Sequence, residues 1–403
     1  MTHDETTMEL RDSADLPRGF RAAGVHCGVK PERPDLALFV SDTDATVAGT
    51  FTTNRVQAAP VQWCRPIVAV GTARAIVMNS GNANACTGEP GMRDAKRMAA
   101  VTADHLQVAP DHVLVSSTGP IGVPLPMEAV AAGIGAATAA LSASGGAAAA
   151  VAMMTTDTVS KHVSTTVQID GQTITITGVA KGSGMIHPNM ATMLAYLFTD
   201  AAVDSAGLQS CLLHAVRQSF NRITVDGDCS TNDTVLFLAN GAAGNEPLNV
   251  NHAAWQTFSA AVLAIAMTLA QRIVMDGEGA SRFVTVHVRG AASAADADRA
   301  ARAVGNSLLV KTSWAGGDPN WSRALCAVGY SGADIDPARI DIDYDDVPAA
   351  RGGTAADTPR SRLQDVAARS AFALHIDLHR GEGEAVVYAS DTTEAYVQIN
   401  IEE

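Results

Sequence analysis

A threonine that follows an alanine stands eleven residues after the only charged side chain in a long apolar stretch. The segment reads Lys181-Gly182-Ser183-Gly184-Met185-Ile186-His187-Pro188-Asn189-Met190-Ala191-Thr192-Met193-Leu194, and it runs on into Ala195-Tyr196-Leu197-Phe198. A glycine-rich loop that feeds an apolar strand can hold a hydroxyl on rigid backbone. Threonine alone is a poor nucleophile, because its hydroxyl keeps its proton at neutral pH. Scission between Ala191 and Thr192 would give the threonine its own α-amine. Such an amine has an ordinary pKa of about 7.7–8.0 and is suited to take the hydroxyl proton. That is the N-terminal-threonine route to nucleophilic catalysis. By pattern alone Ala191-Thr192 is a common dipeptide, and a loop entering a core strand accounts for the segment without any chemistry.

Further blocks surround this one. Arg18-Gly19-Phe20-Arg21-Ala22-Ala23-Gly24-Val25 and Ala48-Gly49-Thr50-Phe51-Thr52-Thr53-Asn54 lie near the N-terminus. Met78-Asn79-Ser80-Gly81-Asn82-Ala83-Asn84-Ala85-Cys86-Thr87-Gly88, Ser116-Ser117-Thr118-Gly119-Pro120-Ile121-Gly122 and Met154-Thr155-Thr156-Asp157-Thr158 come next. Phe220-Asn221-Arg222-Ile223-Thr224-Val225-Asp226-Gly227-Asp228, Asp276-Gly277-Glu278-Gly279-Ala280 and Gly317-Asp318-Pro319-Asn320-Trp321 complete the set. In this order the blocks resemble the ornithine acetyltransferase family of arginine biosynthesis, from about residue 17 to residue 400.

The resemblance implies self-cleavage at Ala191-Thr192, which divides the chain into an α segment, 1–191, and a β segment, 192–403. It implies acetyl transfer from N-acetylornithine to glutamate through an acetyl ester on Thr192. Thr118, by its hydroxyl, and Gly119, by its N–H, are the implied oxyanion donors, and glycine at 119 leaves no Cβ beside the reacting carbonyl. Substrate recognition carries over to Thr155, Lys181, Thr192, Glu278 and Asn400. That set suits an amino acid, since Lys181 can pair with a carboxylate and Glu278 with an ammonium. Lys181 is the only charge between Gly171 and Thr199 with His187 neutral, so a partner for it is expected. No metal or organic cofactor is implied, and some family members take acetyl-CoA as donor. Two α and two β segments from two precursors are the expected assembly.

Some positions depart from the family. It continues past the residue matching Asn400 and places a substrate-contacting hydroxyl there, which Ile401-Glu402-Glu403 does not supply. Ser322 replaces a glycine, Cys229 a small polar residue, and Pro120 a valine. Proline at 120 removes one backbone N–H beside the oxyanion pair but not that of Gly119. Three other readings stay open: a self-processed threonine amidohydrolase or aminopeptidase, a secondary-metabolism acetyltransferase paralogue, and an uncleaved binding subunit.

Composition describes a soluble globular protein with a tightly packed core of small residues. Across 403 residues, charged side chains make up 17% and aromatics 4%, and the net charge of −14 offers no basic stripe to nucleic acid or an anionic membrane. Six scattered cysteines with no CxxC pair suggest reduced, mostly buried thiols. The polar, acidic Met1-Thr2-His3-Asp4-Glu5-Thr6 carries no basic stretch before an apolar core, so a cytoplasmic protein is expected. The uncharged run 129–156 is broken by Ser142, Ser144, Gly145 and Gly146, and reads as helices 127–141 and 147–153 rather than a membrane span. No GxxxxGK[ST], GxGxxG-plus-acid or nucleophile-elbow pattern occurs. His375 and His379 fall in a strand-like stretch where period two would put both on one face, with no third metal ligand.

The elements that must hold these residues alternate. Strands are predicted at 36–40, 75–79, 113–116, 164–169, 173–177, 193–198, 234–238 and 283–288, with Asp170-Gly171 as a hairpin turn. Helices are predicted at 91–106, 205–220, 253–275, 292–304 and 360–370, with Leu208, Leu212, Val216 and Phe220 as a core stripe. Residues 348–359 read as a surface loop. The interleaving lacks a strict βαβ rhythm, so the expected class is mixed α/β, with α+β layers; the family resemblance implies a two-part fold with the scissile bond near mid-chain.

Overall fold

The computed structural model describes residues 8–187 and 193–401, and the chain forms two compact units. The first comprises Met1–Gly182, Asn189–Asn221 and Cys229–Ile273; the second comprises Ser183–Pro188, Arg222–Asp228 and Val274–Glu403. Ala191 and Thr192, the expected cleavage pair, lie outside the described residues.

The first unit opens with β1 (Phe20–Val25), β2 (Leu36–Phe51), α1 (Ala59–Val70), β3 (Thr72–Ser80), α2 (Gly88–Leu106) and β4 (Val113–Thr118). It goes on through α3 (Met127–Ala139), α4 (Gly146–Met153), β5 (Lys161–Ile169), β6 (Gln172–Lys181), β7 (Leu194–Thr199) and α5 (Ser205–Gln218). After β8 (Ile223–Thr224), which belongs to the second unit, come β9 (Thr234–Ala239) and α6 (Trp255–Met275). The sheet order is β4-β3-β2-β9-β7-β6-β5, with β1 also on β2. β3–β4 and β7–β9 are parallel, and the other pairs are antiparallel.

β2 organises this sheet. Its pairing with β3 shifts register between Val40 and Ala45, where Asp42, Thr43 and Asp44 are exposed, and beyond the shift it pairs with β9. An irregularity of this kind bends a strand and re-aims its second half. Phe39 on its first half stacks on Phe198 of β7 at 5.0 Å and meets Tyr196 edge-on at 5.6 Å, while Phe20 lies 5.3 Å from Phe198. The β5–β6 hairpin turns at Asp170 and Gly171, with φ of +52° and +75°, the left-handed pair that a two-residue turn of this hand requires. α6 is long and apolar enough to cross a membrane, yet Phe258, Val262, Ile265 and Leu269 on it are wholly buried within the protein. The run 129–156 is the pair α3 and α4, as read from its small residues.

The second unit continues with β10 (Phe283–Ala291), α7 (Ala294–Asn306), α8 (Leu308–Ala315), α9 (Trp321–Gly329), β11 (Asp341–Tyr344) and β12 (Val347–Arg351). β13 (Thr354–Ala355), α10 (Arg360–Ala367), β14 (Ala371–Asp377), β15 (Gly383–Ser390) and α11 (Glu394–Ile401) complete it. Its sheet runs β13-β12-β11-β14-β10-β15-β8 over a core of Trp314, Tyr344 and Phe372.

Three expectations fail here. Residues 348–359 are not simply a surface loop: β12 and β13 pair as a hairpin, and Ala349 and Ala350 are small because they are packed. β14 ends at Asp377, so His379, at φ +48°, shares no strand face with His375. All six cysteines are free thiols, but only Cys64 and Cys211 are buried, while Cys86 and Cys326 are exposed.

The aromatic cluster makes a direct stability test. Phe198→Ala removes the ring that both Phe20 and Phe39 contact, and is expected to cost about 3–5 kcal/mol in denaturant unfolding.

Candidate active site

Register delivers the candidate residues of the first unit to one margin of its sheet. Lys181, the last residue of β6, pairs with Leu194; Leu194 pairs with Thr234, and Thr234 with Phe51. Met193, Asp233 and Thr52 therefore stand one step beyond this row. Thr118 ends β4 beside Ser80 of β3, and its carbonyl accepts the Gly81 and Asn82 N–H groups at 2.7 and 3.0 Å.

The loop after β3 is fixed by amides. Asn82 Nδ2 donates to the carbonyls of Val123 and Pro124 at 3.0 and 3.2 Å, and Asn79 Nδ2 donates to the Asn82 carbonyl at 2.9 Å. Ser117 Oγ donates to Asn79 Oδ1 at 2.6 Å. Asn232 Nδ2 bridges the carbonyls of Ala83 and Ser117 at 2.6 and 2.8 Å. Gly119 has φ +136°, and a Cβ there would sit 2.4 Å from the Asn82 nitrogen. Glycine is thus required by the neighbouring backbone, a reason that sequence reading did not supply.

Lys181 finds the partners that its isolation implied. Its Nζ donates to Thr118 Oγ1 at 3.3 Å and stands 3.9 Å from Asp157 Oδ2. Lys181 is 3% exposed and Thr118 4%, so both act away from bulk water. Asp157 is the residue that sequence reading missed. Its Oδ1 accepts from Lys161 Nζ at 2.6 Å and from the Gly182 N–H at 2.7 Å, and its Oδ2 accepts the Thr155 N–H at 3.0 Å. Burial would raise this carboxyl, but the Lys181 and Lys161 ammoniums and the Gly182 N–H outweigh it and hold it below the ordinary carboxylate value. The Asp157…Lys161 spacing, in a block already singled out for Thr155, was the signal available.

A cavity of about 500 Å³ adjoins this cluster, lined by Lys30, Arg33, Met154, Thr156, Asp157 and Thr158. Burial pushes the Lys30 ammonium down to about 8; Asp35 opposes that shift, and the nearby Lys181 charge adds to it. Four consecutive N–H groups, from Cys27 to Lys30, converge on the Asp35 carboxylate.

The second unit holds the other two predicted residues together. Glu278 follows α6 in its glycine-flanked loop and is 8% exposed. Its Oε2 accepts from Asn400 Nδ2 of α11 at 2.9 Å, and its carboxyl lies where a Cβ on Gly184 would be, 2.3 Å away. Asp226 accepts the Met185 and Ile186 N–H groups at 2.5 and 2.9 Å, and burial pushes its carboxyl up to about 6. Among the described residues no three His, Cys, Asp or Glu side chains are grouped to hold a metal ion.

Comparison with known proteins adds to this geometry. The model of the ArgJ family matches residues 21–402. The arginine biosynthesis bifunctional protein ArgJ of Geobacter sulfurreducens is 49% identical over 385 residues, covering 95% of this chain and 98% of its own. That of Symbiobacterium thermophilum is 50% identical over 394 residues, covering 97% and 98%. A crystal structure of an ornithine acetyltransferase from Mycobacterium tuberculosis, complexed with ornithine, is 40% identical with a TM-score of 0.43, over 45% of this chain and 98% of that one.

The buried charge cluster sets a prediction. Asp157→Asn leaves the fully buried Lys161 ammonium without its carboxylate and is expected to cost about 3–5 kcal/mol at pH 7. Because the folded carboxyl titrates below its unfolded value, its contribution is present above about pH 4 and is lost as pH falls further. Acid unfolding followed by circular dichroism should therefore be shallower below pH 4 in Asp157→Asn than in the wild type.

Proposed function

The chain belongs to the ArgJ family and transfers acetyl from N-acetylornithine to glutamate in arginine biosynthesis, and we propose that the acetyl group passes through an ester on Thr192. The observation that supports this route is the buried Lys181–Thr118 contact at the strand end that carries Gly119. A lysine ammonium that donates to Thr118 Oγ1 occupies a lone pair and leaves the hydroxyl proton to point elsewhere. Thr118 then acts as an oriented donor, and the Gly119 N–H is the second.

Self-processing comes first. The Thr192 hydroxyl attacks the Ala191 carbonyl, the peptide nitrogen leaves as the threonine amine, and water opens the resulting ester. The freed amine then takes the hydroxyl proton as Thr192 attacks the acetyl carbonyl of N-acetylornithine. Thr118 and Gly119 stabilise the oxyanion, and the ornithine nitrogen leaves with a proton. The glutamate amine attacks the acetyl ester in turn and releases N-acetylglutamate, a ping-pong sequence. Lys181 is proposed to meet a substrate carboxylate, Glu278 with Asn400 an ammonium, and Thr155 to complete substrate contact.

The reaction is proposed to need no metal or organic cofactor, with acetyl-CoA as a second acetyl donor to be tested by product analysis. The segments 1–191 and 192–403 are proposed to assemble as two of each, in the cytoplasm.

Intact mass under denaturing conditions tests the scission. Two species, residues 1–191 and 192–403, are expected from the wild type, and one chain from Thr192→Ala. A Thr192→Ala protein still broken at this bond would overturn the assignment. Thr118→Ala is expected to lower kcat for acetyl transfer by about 10²–10³-fold with little change in KM.

A further inference from the structure

Asp233 has no part in the chemistry above, yet it is fully buried and aimed at one backbone group. Its Oδ1 accepts the Met193 N–H at 3.1 Å, and its Oδ2 is 4.0 Å from the Cys229 thiol. The next residue holds Met193 from its other side, since the Thr234 N–H donates to the Met193 carbonyl at 3.2 Å. Met193 is 2% exposed and precedes the first residue of β7, so its N–H lies outside the ladder and in the reach of the Asp233 carboxyl.

Asp233 is itself anchored. Its carbonyl accepts the Thr52 N–H at 2.9 Å, and Thr52 Oγ1 donates to the Ser230 carbonyl at 2.7 Å. The preceding residue, Asn232, grips the carbonyls of Ala83 and Ser117. Two adjacent side chains therefore tie separate parts of the first unit together. One holds the strand end that leads to Thr118 and Gly119; the other holds Met193, the residue after Thr192.

We propose that Asp233 is a positioning residue: through the Met193 N–H it fixes the backbone just beyond the nucleophile, and so sets how Thr192 meets the oxyanion donors. This rests on reading Thr192 as the nucleophile. The role is that of an acceptor and not of a base. Burial drives the Asp233 carboxyl well above the ordinary carboxylate value, against the Met193 N–H, Thr52 and the Lys181 charge. In either protonation state the carboxyl keeps an oxygen that accepts the Met193 N–H, and an asparagine amide offers the same oxygen in the same shape.

Asp233→Asn and Asp233→Leu, made in the full chain, separate acceptor from base. Cleavage is read by denaturing mass and acetyl transfer by steady-state kinetics, with the unfolding midpoint as a control for folding. Asp233→Asn is expected to cleave and to keep kcat within about threefold. Asp233→Leu is expected to fold but to cleave poorly, with kcat lowered about 10²-fold and KM little changed, the effect of a displaced reacting group. Asp233→Leu with wild-type cleavage and kcat overturns the proposal, and so does Asp233→Asn as impaired as Asp233→Leu. If Asp233→Leu does not fold, hydrogen exchange at the Met193 amide of the wild type decides. Protection matching the β7 interior supports the contact, and free exchange overturns it. A wild type that neither cleaves nor transfers acetyl overturns the Thr192 reading itself, and the Met193 exchange still reports the Asp233 contact separately.

Discussion

The buried carboxylate of Asp157 is the constraint on which the first unit's site depends. Removing an isolated charge from water is costly, and two ammoniums without a counter-ion could not be buried at this depth. Asp157 lies between Lys161 and Lys181 and also collects the N–H groups of Gly182 and Thr155. One side chain thereby fixes the end of β6, the start of β5 and the turn after α4. It also places a carboxylate 3.9 Å from the Lys181 Nζ that reaches Thr118. Exchanging Lys181 for a neutral residue would leave Thr118 its hydroxyl but remove the group that orients it.

The same economy recurs in the loops. Buried backbone groups need partners when they leave a ladder, and here side-chain amides and carboxyls supply them. Asn79, Asn82 and Asn232 serve the loop after β3 and the end of β4, while Asp35 serves the turn between β1 and β2. In the second unit Asp226 does likewise for Met185 and Ile186. These residues are polar because buried backbone must be satisfied. Glycine at 119 belongs to this framework, since the Gly81–Asn82 backbone leaves no room for a side chain.

Function entered the sequence through type and order. Thr118, Gly119, Lys181 and Thr192 stand in blocks whose succession along the chain marks the family, and family membership carries the reaction. The structure adds the physical link between two of them, the Lys181–Thr118 contact. In the second unit it adds the Glu278–Asn400 pair, which joins residues 122 positions apart.

Local patterns determined what they could from neighbours in the chain. Asp170-Gly171 specified its turn, the Leu208, Leu212 and Val216 stripe specified α5, and small residues marked α3 and α4 as packed helices. Lys181 announced a partner by standing alone. Tertiary structure decided the rest, because it rests on contacts between distant segments. Polar Asp42-Thr43-Asp44 hid the continuation of β2, whose second half is a strand only because β9 pairs with it. Gly352-Gly353 resembled a loop, and β12 and β13 became strands by pairing across it. Asp157 and Asp233 looked like ordinary acidic residues. Each makes its contacts by burial against groups far along the chain, and burial is a property of the fold that no local window of residues contains.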